Sequence, residues 1–537
     1  ILSALMLVLF LYLVGIFNRH KGERELLRQL LLLNEKELAC LKHDFHDLPD
    51  GSEHADTSHP WSHDLDLFGK GSLFQYLNRS STLKGSAMLA ALLTSEPGTA
   101  ETILHRQKII SDLKDRIDFR QHFTASGELI KEKEGDHKDI SHWLDTCTYI
   151  SKYRWLFYLA LGVSLLSVFI VIWGIFDPSR FLILLYLFVL NLTVLSPFLL
   201  RTQKYQAVIS RKHELLEGYA RLLRQIAHTT FKHPELQIMS RKAREGTRQV
   251  VILSKLLQMF DQRLSMLLGV ILNGLFLFDF TMLYLLERWK RKNREDIMEW
   301  IEITGWTHAM ISLAGFTWNH PDFSTPDVSD TAADFEISGL GHPLIPHQKR
   351  VANDLEISSG KVVVITGANM AGKSTFLRSM GVNMVLAYMG CPVCATLFRC
   401  SYMGLHSSMR TADSLKDEES YFLAEIKKLQ LIVQEMEGGK PMLILLDEVL
   451  KGTNTTDKKL GSVGLIRKSL KYPIRCLIAT HDLSLGELEK EYEGQVLNYC
   501  FESYIHDMEL SFDYTMRKGI ATNMNASFLM KKMGIMD

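Results

Sequence analysis

The sequence predicts a multidomain chain of α and α/β class, with transmembrane helices, a helical core or lever region, and a doubly wound α/β sheet in its carboxyl-terminal part. Three observations carry this. Two runs near the middle, Trp155 to Phe176 and Phe181 to Leu200, hold no charged residue. Long helical patterns with few Gly or Pro breaks lie on either side of them. After residue 360, short β-branched runs recur and end in polar residues. The boundaries expected are a transmembrane helix over 1–17, a linker over 18–62, helical regions over 63–152 and 201–318 flanking a membrane hairpin over 153–200, and the α/β domain over 319–537.

Composition narrows the classes. With 47% hydrophobic residues, and 61 Lys+Arg balanced by 61 Asp+Glu, the 537 residues are neither a collagen, a disordered tail nor a polycation. The length suits three or four units, each able to bury a core. Seven cysteines, mostly isolated, do not make a disulfide framework and favour a reducing compartment.

Residues 1–17 are almost wholly apolar and are followed by Arg19, Lys21 and Arg24, as at the end of a span; the opening on Ile suggests a truncated start. Each of the two central runs has about the 20 residues that a helix needs to cross the hydrocarbon core. Asp177-Pro178-Ser179-Arg180 is a tight turn between them. Lys152 and Arg154 before the hairpin, and Arg201 and Lys204 after it, place both flanks in the cytoplasm by the positive-inside bias. A further run, Leu264 to Leu286, contains Asn273 and Asp279, which are costly in lipid. One more crossing would also carry everything after Glu287 outside. That run is therefore read as a buried core helix.

The stretch with His43, His46, His54, His59 and His63 is interrupted by Pro49, Gly51 and Pro60 and reads as a solvated linker rather than a metal site. From Leu65 to Leu93 the pattern is helix, turn, helix. Helical patterns resume from Tyr205 to Phe260 and from Arg263 to about Trp318. Two basic clusters lie on them: Arg241, Lys242, Arg244 and Arg248, then Arg288, Lys290, Arg291, Lys292 and Arg294. They read as solvated faces or contacts to anionic headgroups, with nucleic-acid phosphate as the alternative. Cys391-Pro-Val-Cys394 is expected to be a pair of buried structural thiols.

The chemistry concentrates after Lys361. The run Lys361 to Thr366 reads as a buried strand, and Gly367 to Thr375 follows as G-x-x-x-x-G-K-S-T. Gly367 and Gly372 let the backbone curl so that its N–H groups and the next helix's N-terminus face phosphate oxygens. Lys373 supplies a point charge to the β and γ oxygens, and the Ser374 hydroxyl suits one position of a magnesium shell. A second strand, Met442 to Leu446, delivers Asp447 for the metal and Glu448 as base toward an attacking water. A third, Arg475 to Thr480, ends at His481, placed to sense or polarise a γ-phosphate.

The runs Thr366 to Thr375, Leu446 to Asp457, Ala479 to Asp482 and Tyr514 to Ala526 together closely resemble the ATPase of the MutS family. Phe68 to Gly85 is similar to the start of that family's helical lever. The resemblance implies an ABC-type P-loop ATPase using ATP and Mg2+, with Asn369, Lys373, Ser374 and Thr375 at the phosphates. It implies that His342 to Pro346 and Val351 pack near adenine. It further implies that Ser420, in Glu418 to Glu425, reaches into the opposing subunit's site, so that the working species is a homodimer, with DNA as a candidate ligand. The family's mismatch-reading domain has no counterpart before Asp64, and an apolar hairpin splits the lever, as in a membrane-bound bacterial branch. Two other classes compete: a nucleotide-switched membrane scaffold that never touches DNA, and an ABC-type transporter, against which stands the lack of a Leu-Ser-Gly-Gly-Gln signature.

Overall fold

The structure, a computed structural model, describes residues 2–96, 98–145, 154–196, 202, 212–262, 266–330, 334–410, 421–506 and 509–522. The helices before the sheets are α1 (Leu2–Leu41), α2 (Leu73–Leu77), α3 (Leu83–Thr94), α4 (Ala100–Lys114), α5 (Ile117–Glu128), α6 (Asp136–Asp145), α7 (Arg154–Phe176) and α8 (Phe181–Leu195). They continue with α9 (His213–His228), α10 (Pro234–Asp261), α11 (Met266–Phe276), α12 (Phe278–Asn293) and α13 (Asp296–Asn319). Then come β1 (Asp327–Ser329), β2 (Phe335–Leu340), β3 (Asn353–Ile357), β4 (Lys361–Gly367), α14 (Lys373–Tyr388), β5 (Leu397–Ser401) and β6 (Gly404–Ser408). The order closes with α15 (Tyr421–Glu437), β7 (Met442–Asp447), α16 (Thr455–Ser469), β8 (Arg475–Thr480), α17 (Leu488–Glu491), β9 (Val496–His506) and β10 (Glu509–Lys518). The chain divides into two units, one of residues 1–33, 80–86 and 117–308, the other of 34–79, 87–116 and 309–537.

The first unit is helical. In α9, Leu215, Leu216, Tyr219, Leu222, Leu223 and Ile226 recur at helical spacing and are buried, so one stripe of this helix faces a core. Among the described residues, the pattern expected to run unbroken from Tyr205 to Phe260 holds two helices, α9 and α10. Pro234 sits in the first turn of α10, and His233 Nδ1 accepts from the Glu235 amide at 3.3 Å, so the chain must restart there. The turn between α7 and α8 is closed by Asp177, whose carboxylate accepts from the Ser179 amide and hydroxyl. Residues Phe157–Phe176 and Pro178–Leu195 are long and apolar enough to cross a membrane.

The expected buried core helix over Leu264 to Leu286 is not formed. It is two helices, bent by 84° at Leu277, whose φ is +48°. The Asn273 side chain accepts from the Asp279 amide at 2.9 Å and so competes with the helical ladder at the break. The basic clusters are partly absorbed internally: Lys242 pairs with Glu299, Arg294 with Asp145 at 2.7 Å, and buried Lys290 donates to the Trp143 carbonyl at 2.6 Å.

The second unit holds both sheets. Part of the expected linker belongs to its core: Cys40, Phe45 and Trp61 are buried, and Trp61 Nε1 donates to the Leu93 carbonyl at 3.2 Å. Composition hid this, because the histidines there cap and pack; His59 Nε2 lies 3.0 Å from the Thr94 carbonyl. α1 likewise runs unbroken past residue 17, where a boundary was expected. The helix–turn–helix from Leu65 is present as α2 and α3, with the Ser72 hydroxyl accepting from the Gln75 amide at 3.2 Å at the start of α2.

The larger sheet has order β10-β9-β4-β8-β7-β6. It is parallel from β9 to β6 and antiparallel only at its β10 edge, so it is mixed rather than wholly parallel. Val362, Val364, Ile444, Leu446 and Ile478 form a buried cluster with Ile432 and Met436 of α15 and Ile466 of α16. The alternate residue Leu445 faces α14, where Gly381 leaves room for it and for Leu65. Helices thus cover both faces of the parallel strands. A second, four-stranded sheet, β1-β5-β2-β3, was not anticipated. Cys391 and Cys394 are buried, and burial pushes the Cys394 thiol up to about 11, in keeping with structural thiols.

Candidate active site

The site lies at the carboxyl ends of β4, β7 and β8. These strands are neighbours in the sheet, in register so that Thr366 faces Thr480 and Asp447 faces Ala479. Each is a run of buried apolar residues that stops where polar residues begin, so the sheet delivers its polar residues to one edge.

The loop after β4 depends on two glycines. Gly367 has φ +151°, and a Cβ there would lie 2.6 Å from the Phe501 carbonyl oxygen. Gly372, at φ +112°, precedes α14 and faces Tyr514. Met370 also has positive φ, at +66°. Backbone amides and the amino-terminal end of α14 therefore line a tight cradle. Lys373 is buried, and its ammonium donates to the Gly367 and Ala368 carbonyls at 2.8 and 2.9 Å. Burial pushes it down to about 8, against the upward pull of Glu448 and Asp447.

His481 joins the loop to the second strand end. Its Nδ1 lies 2.8 Å from the Gly367 carbonyl oxygen, and its Nε2 pairs with the Glu448 carboxylate. That hydrogen bond, above all, holds Glu448 down to about 2, with Lys451 adding to it at 3.6 Å. Glu448 sits at φ +51° and Leu450 at +61°, so the chain turns sharply just after β7. The Glu448 amide donates to the Ala479 carbonyl at 2.9 Å.

One cavity of about 430 Å³ gathers the predicted Val351, Asn369, Gly372, Lys373, Ser374, Thr375, Glu448 and His481. Gly367 lies behind it, contributing its carbonyl to Lys373. Asp447 is buried at the end of β7 and does not line the cavity. Ser420 lies outside the described residues, as do 523–526 of the carboxyl-terminal run. His342 lines the cavity as well, its ring held down to about 4 by burial.

Several contributors were missed. Phe501 and Tyr514 form part of the cavity wall, Tyr514 within a register shift between Phe512 and Met516. Asn353 fixes that irregularity from β3: its side chain accepts from the Met516 amide at 2.6 Å and donates to the Tyr514 carbonyl at 3.1 Å. Glu425 of α15 is buried and accepts from the amides of Leu450 and Lys451 at 2.6 and 3.1 Å. A carboxylate inside an amphipathic helix was the available signal for it.

The cradle and donor set fit a polyphosphate with a hard divalent cation: glycines where a Cβ would clash, a buried ammonium and a hydroxyl on Ser374, while the Asp447 carboxylate, which does not line the cavity, would reach such a cation through water. A mostly parallel sheet with a glycine loop leading from strand to helix at its carboxyl edge defines the class, an α/β domain. Residues 363–532 match MutS domain V. The chain is 34% identical over 211 residues to the DNA mismatch repair protein MutS of Dinoroseobacter shibae, covering 37% of this chain and 24% of that protein. It is 30% identical over 255 residues to the MutS of Thermotoga maritima, covering 46% and 31%, and 27% identical over 238 residues to the DNA mismatch repair protein MSH3 of Meyerozyma guilliermondii, covering 42% and 24%. Through this region the chain is similar to the MutS family. It spans about a quarter to a third of the length of those relatives.

Proposed function

We propose that this chain is a membrane-anchored MutS-type ATPase that hydrolyses ATP as a homodimer and couples nucleotide state to movement of its helical levers. The observation that carries the reading is the convergence of Lys373, Glu448 and His481 on one glycine-lined cavity. The loop amides and Lys373 hold the phosphates; Ser374 and Asp447 hold Mg2+, whose charge offsets that of the phosphoryl oxygens. Glu448 orients the attacking water and accepts its proton, for which it must first leave the hydrogen bond to His481, since a carboxylate held near 2 is a poor base. Val351 and Tyr514 supply apolar wall for the base. Ser420 of a second copy completes the site.

The α7–α8 hairpin supplies the anchor, with the ATPase on the cytoplasmic side. DNA is the ligand suggested by the names of the relatives, which are mismatch repair proteins. Two measurements test the reading. Glu448→Gln is expected to keep ATP binding and abolish turnover; persistent turnover refutes the base assignment. Binding of duplex DNA by the purified chain is expected to strengthen steeply as salt falls, and no binding at low salt removes DNA from the proposal.

A further inference from the structure

We infer that α11 and the first half of α12 form a re-entrant membrane element, which dips to about mid-bilayer against the α7–α8 hairpin and returns to the face from which it entered. The inference rests on the proposed membrane setting of that hairpin.

The last turn of any helix leaves carbonyls without helical partners. At the end of α11 all four are met. Asn273 O accepts from the Leu277 amide at 3.2 Å. The next three are met by side chains from the hairpin: Asn191 Nδ2 donates to Gly274 O at 2.7 Å, Ser167 Oγ to Leu275 O at 2.6 Å, and Ser164 Oγ to Phe276 O at 3.0 Å, sharing its proton with Ala160 O of its own helix. A helix end in water needs no such donors. In hydrocarbon it needs them, because no solvent replaces a missing partner. The same contacts explain why Ser167 and Asn191 are buried in otherwise apolar helices.

The two helices lie in close contact. A Cβ on Gly274 would fall 2.1 Å from the Phe188 ring, so only glycine admits α11 this near to α8. Nearer its start α11 presents Leu267, Leu268, Val270 and Ile271, all exposed, an apolar surface like that of the hairpin helices. Acyl chains are the occupant that this surface fits.

Depth can be read along α7, which starts at Arg154. At about 1.5 Å per residue, Ser164 and Ser167 lie about 15 and 20 Å from that end, near the middle of a core about 30 Å thick. Residues 275 and 276 are at that level. Tyr284 stacks on Phe157, with ring centroids 4.5 Å apart, only three residues from Arg154. From 276 to 284 the chain therefore travels back toward the starting end of α7. It then rejoins α6 and α10: Lys290 donates to the Trp143 carbonyl, and Trp289 Nε1 to the Gln249 carbonyl at 3.0 Å. The approach to α11 is also held among helical elements outside the hairpin, since Asp261, the last residue of α10, lies 3.3 Å from His213 at the start of α9. The 84° bend between α11 and α12 is where the chain changes direction, and the Phe157–Tyr284 contact gives the sense of the return.

The full chain, reconstituted in phospholipid vesicles, tests this with nitroxide labels on Val270→Cys and, as hairpin reference, Leu165→Cys; both positions are exposed on their helices. The expected result is oxygen-favoured, nickel-chelate-excluded labels at both. An oxygen-favoured Leu165 label with a nickel-accessible Val270 label overturns the re-entrant element alone. Nickel access at both removes the hairpin from the bilayer and the inference with it. Sidedness is read with an impermeant maleimide on Gln262→Cys and Lys292→Cys, in intact cells and inverted vesicles, with the unsubstituted chain as blank. Reaction of both from the same side is expected; reaction from opposite sides makes the pair a broken span and overturns the inference.

Discussion

His481 bonds the Glu448 carboxylate through Nε2 while its Nδ1 faces the Gly367 carbonyl, so a single ring ties the proposed base to the phosphate loop. Whatever enters the cradle and displaces His481 frees Glu448. In this arrangement base strength depends on loop occupancy.

Replacing His481 should therefore be read in the pH profile. Without the ring, Glu448 in the free enzyme rises from about 2 toward the ordinary carboxylate range, so the acid limb of kcat/KM moves to higher pH. His481→Ala and His481→Asn should share this shift and lose about tenfold or more in kcat. An unmoved acid limb would refute the coupling.

ATP binding should take up a proton at alkaline pH. Lys373, at about 8 in the free site, is largely neutral by pH 9, and a phosphate held beside it favours the charged form. Affinity should fall as pH rises through 8, and calorimetry in buffers of different ionisation enthalpy should report the uptake, which Lys373→Met abolishes together with most affinity. The sign follows from a depressed base pKa: in the free fold charged Lys373 is a burden at pH 7 that is relieved above pH 8.

Glu425→Ala should lower kcat with little change in KM for ATP. Loss of the carboxylate leaves the Leu450 and Lys451 amides without their acceptor and frees the turn that orients Glu448. The stability loss should be about 1 to 3 kcal/mol. Glu425→Gln, which retains an acceptor, should recover part of the rate; equal loss in both variants would point to folding alone.

Asp64 is wholly buried and holds three donors: Ser407 Oγ of β6 at 2.7 Å, the Arg410 amide after that strand at 2.9 Å and Lys428 Nζ of α15 at 2.6 Å. Asp64→Ala strands Lys428 and should cost about 3 to 5 kcal/mol in denaturant titration. Lys428→Met in the same chain should restore part of this. No rescue would mean that the hydroxyl and amide bonds dominate.

Much of the site was legible because its parts are local. A strand, a glycine loop and a helix start occupy Lys361 to Thr375 without interruption, and steric demand for glycine at 367 and 372 is written in a few consecutive residues. Residues that reach the site from afar left no such signal. Tyr514 depends on a strand irregularity pinned by Asn353, and Glu425 depends on which face of α15 turns inward. The helix read over Leu264 to Leu286 failed for a related reason: hydropathy measures preference for a dry environment, whereas the break at Leu277 is set by an Asn273 hydrogen bond and by donors from residues 164, 167 and 191.

By itself, then, the order of residues determined the phosphate loop, the three strands that end beside it and the two apolar runs of the hairpin, because each follows from contiguous sterics and burial. Only the tertiary structure decided that His481 restrains Glu448, that residues 40–62 fold into a core, and that α11 ends on side chains 83 to 112 residues away. Hydrogen bonds between distant segments form only after the chain has brought them together, and no local pattern encodes that meeting.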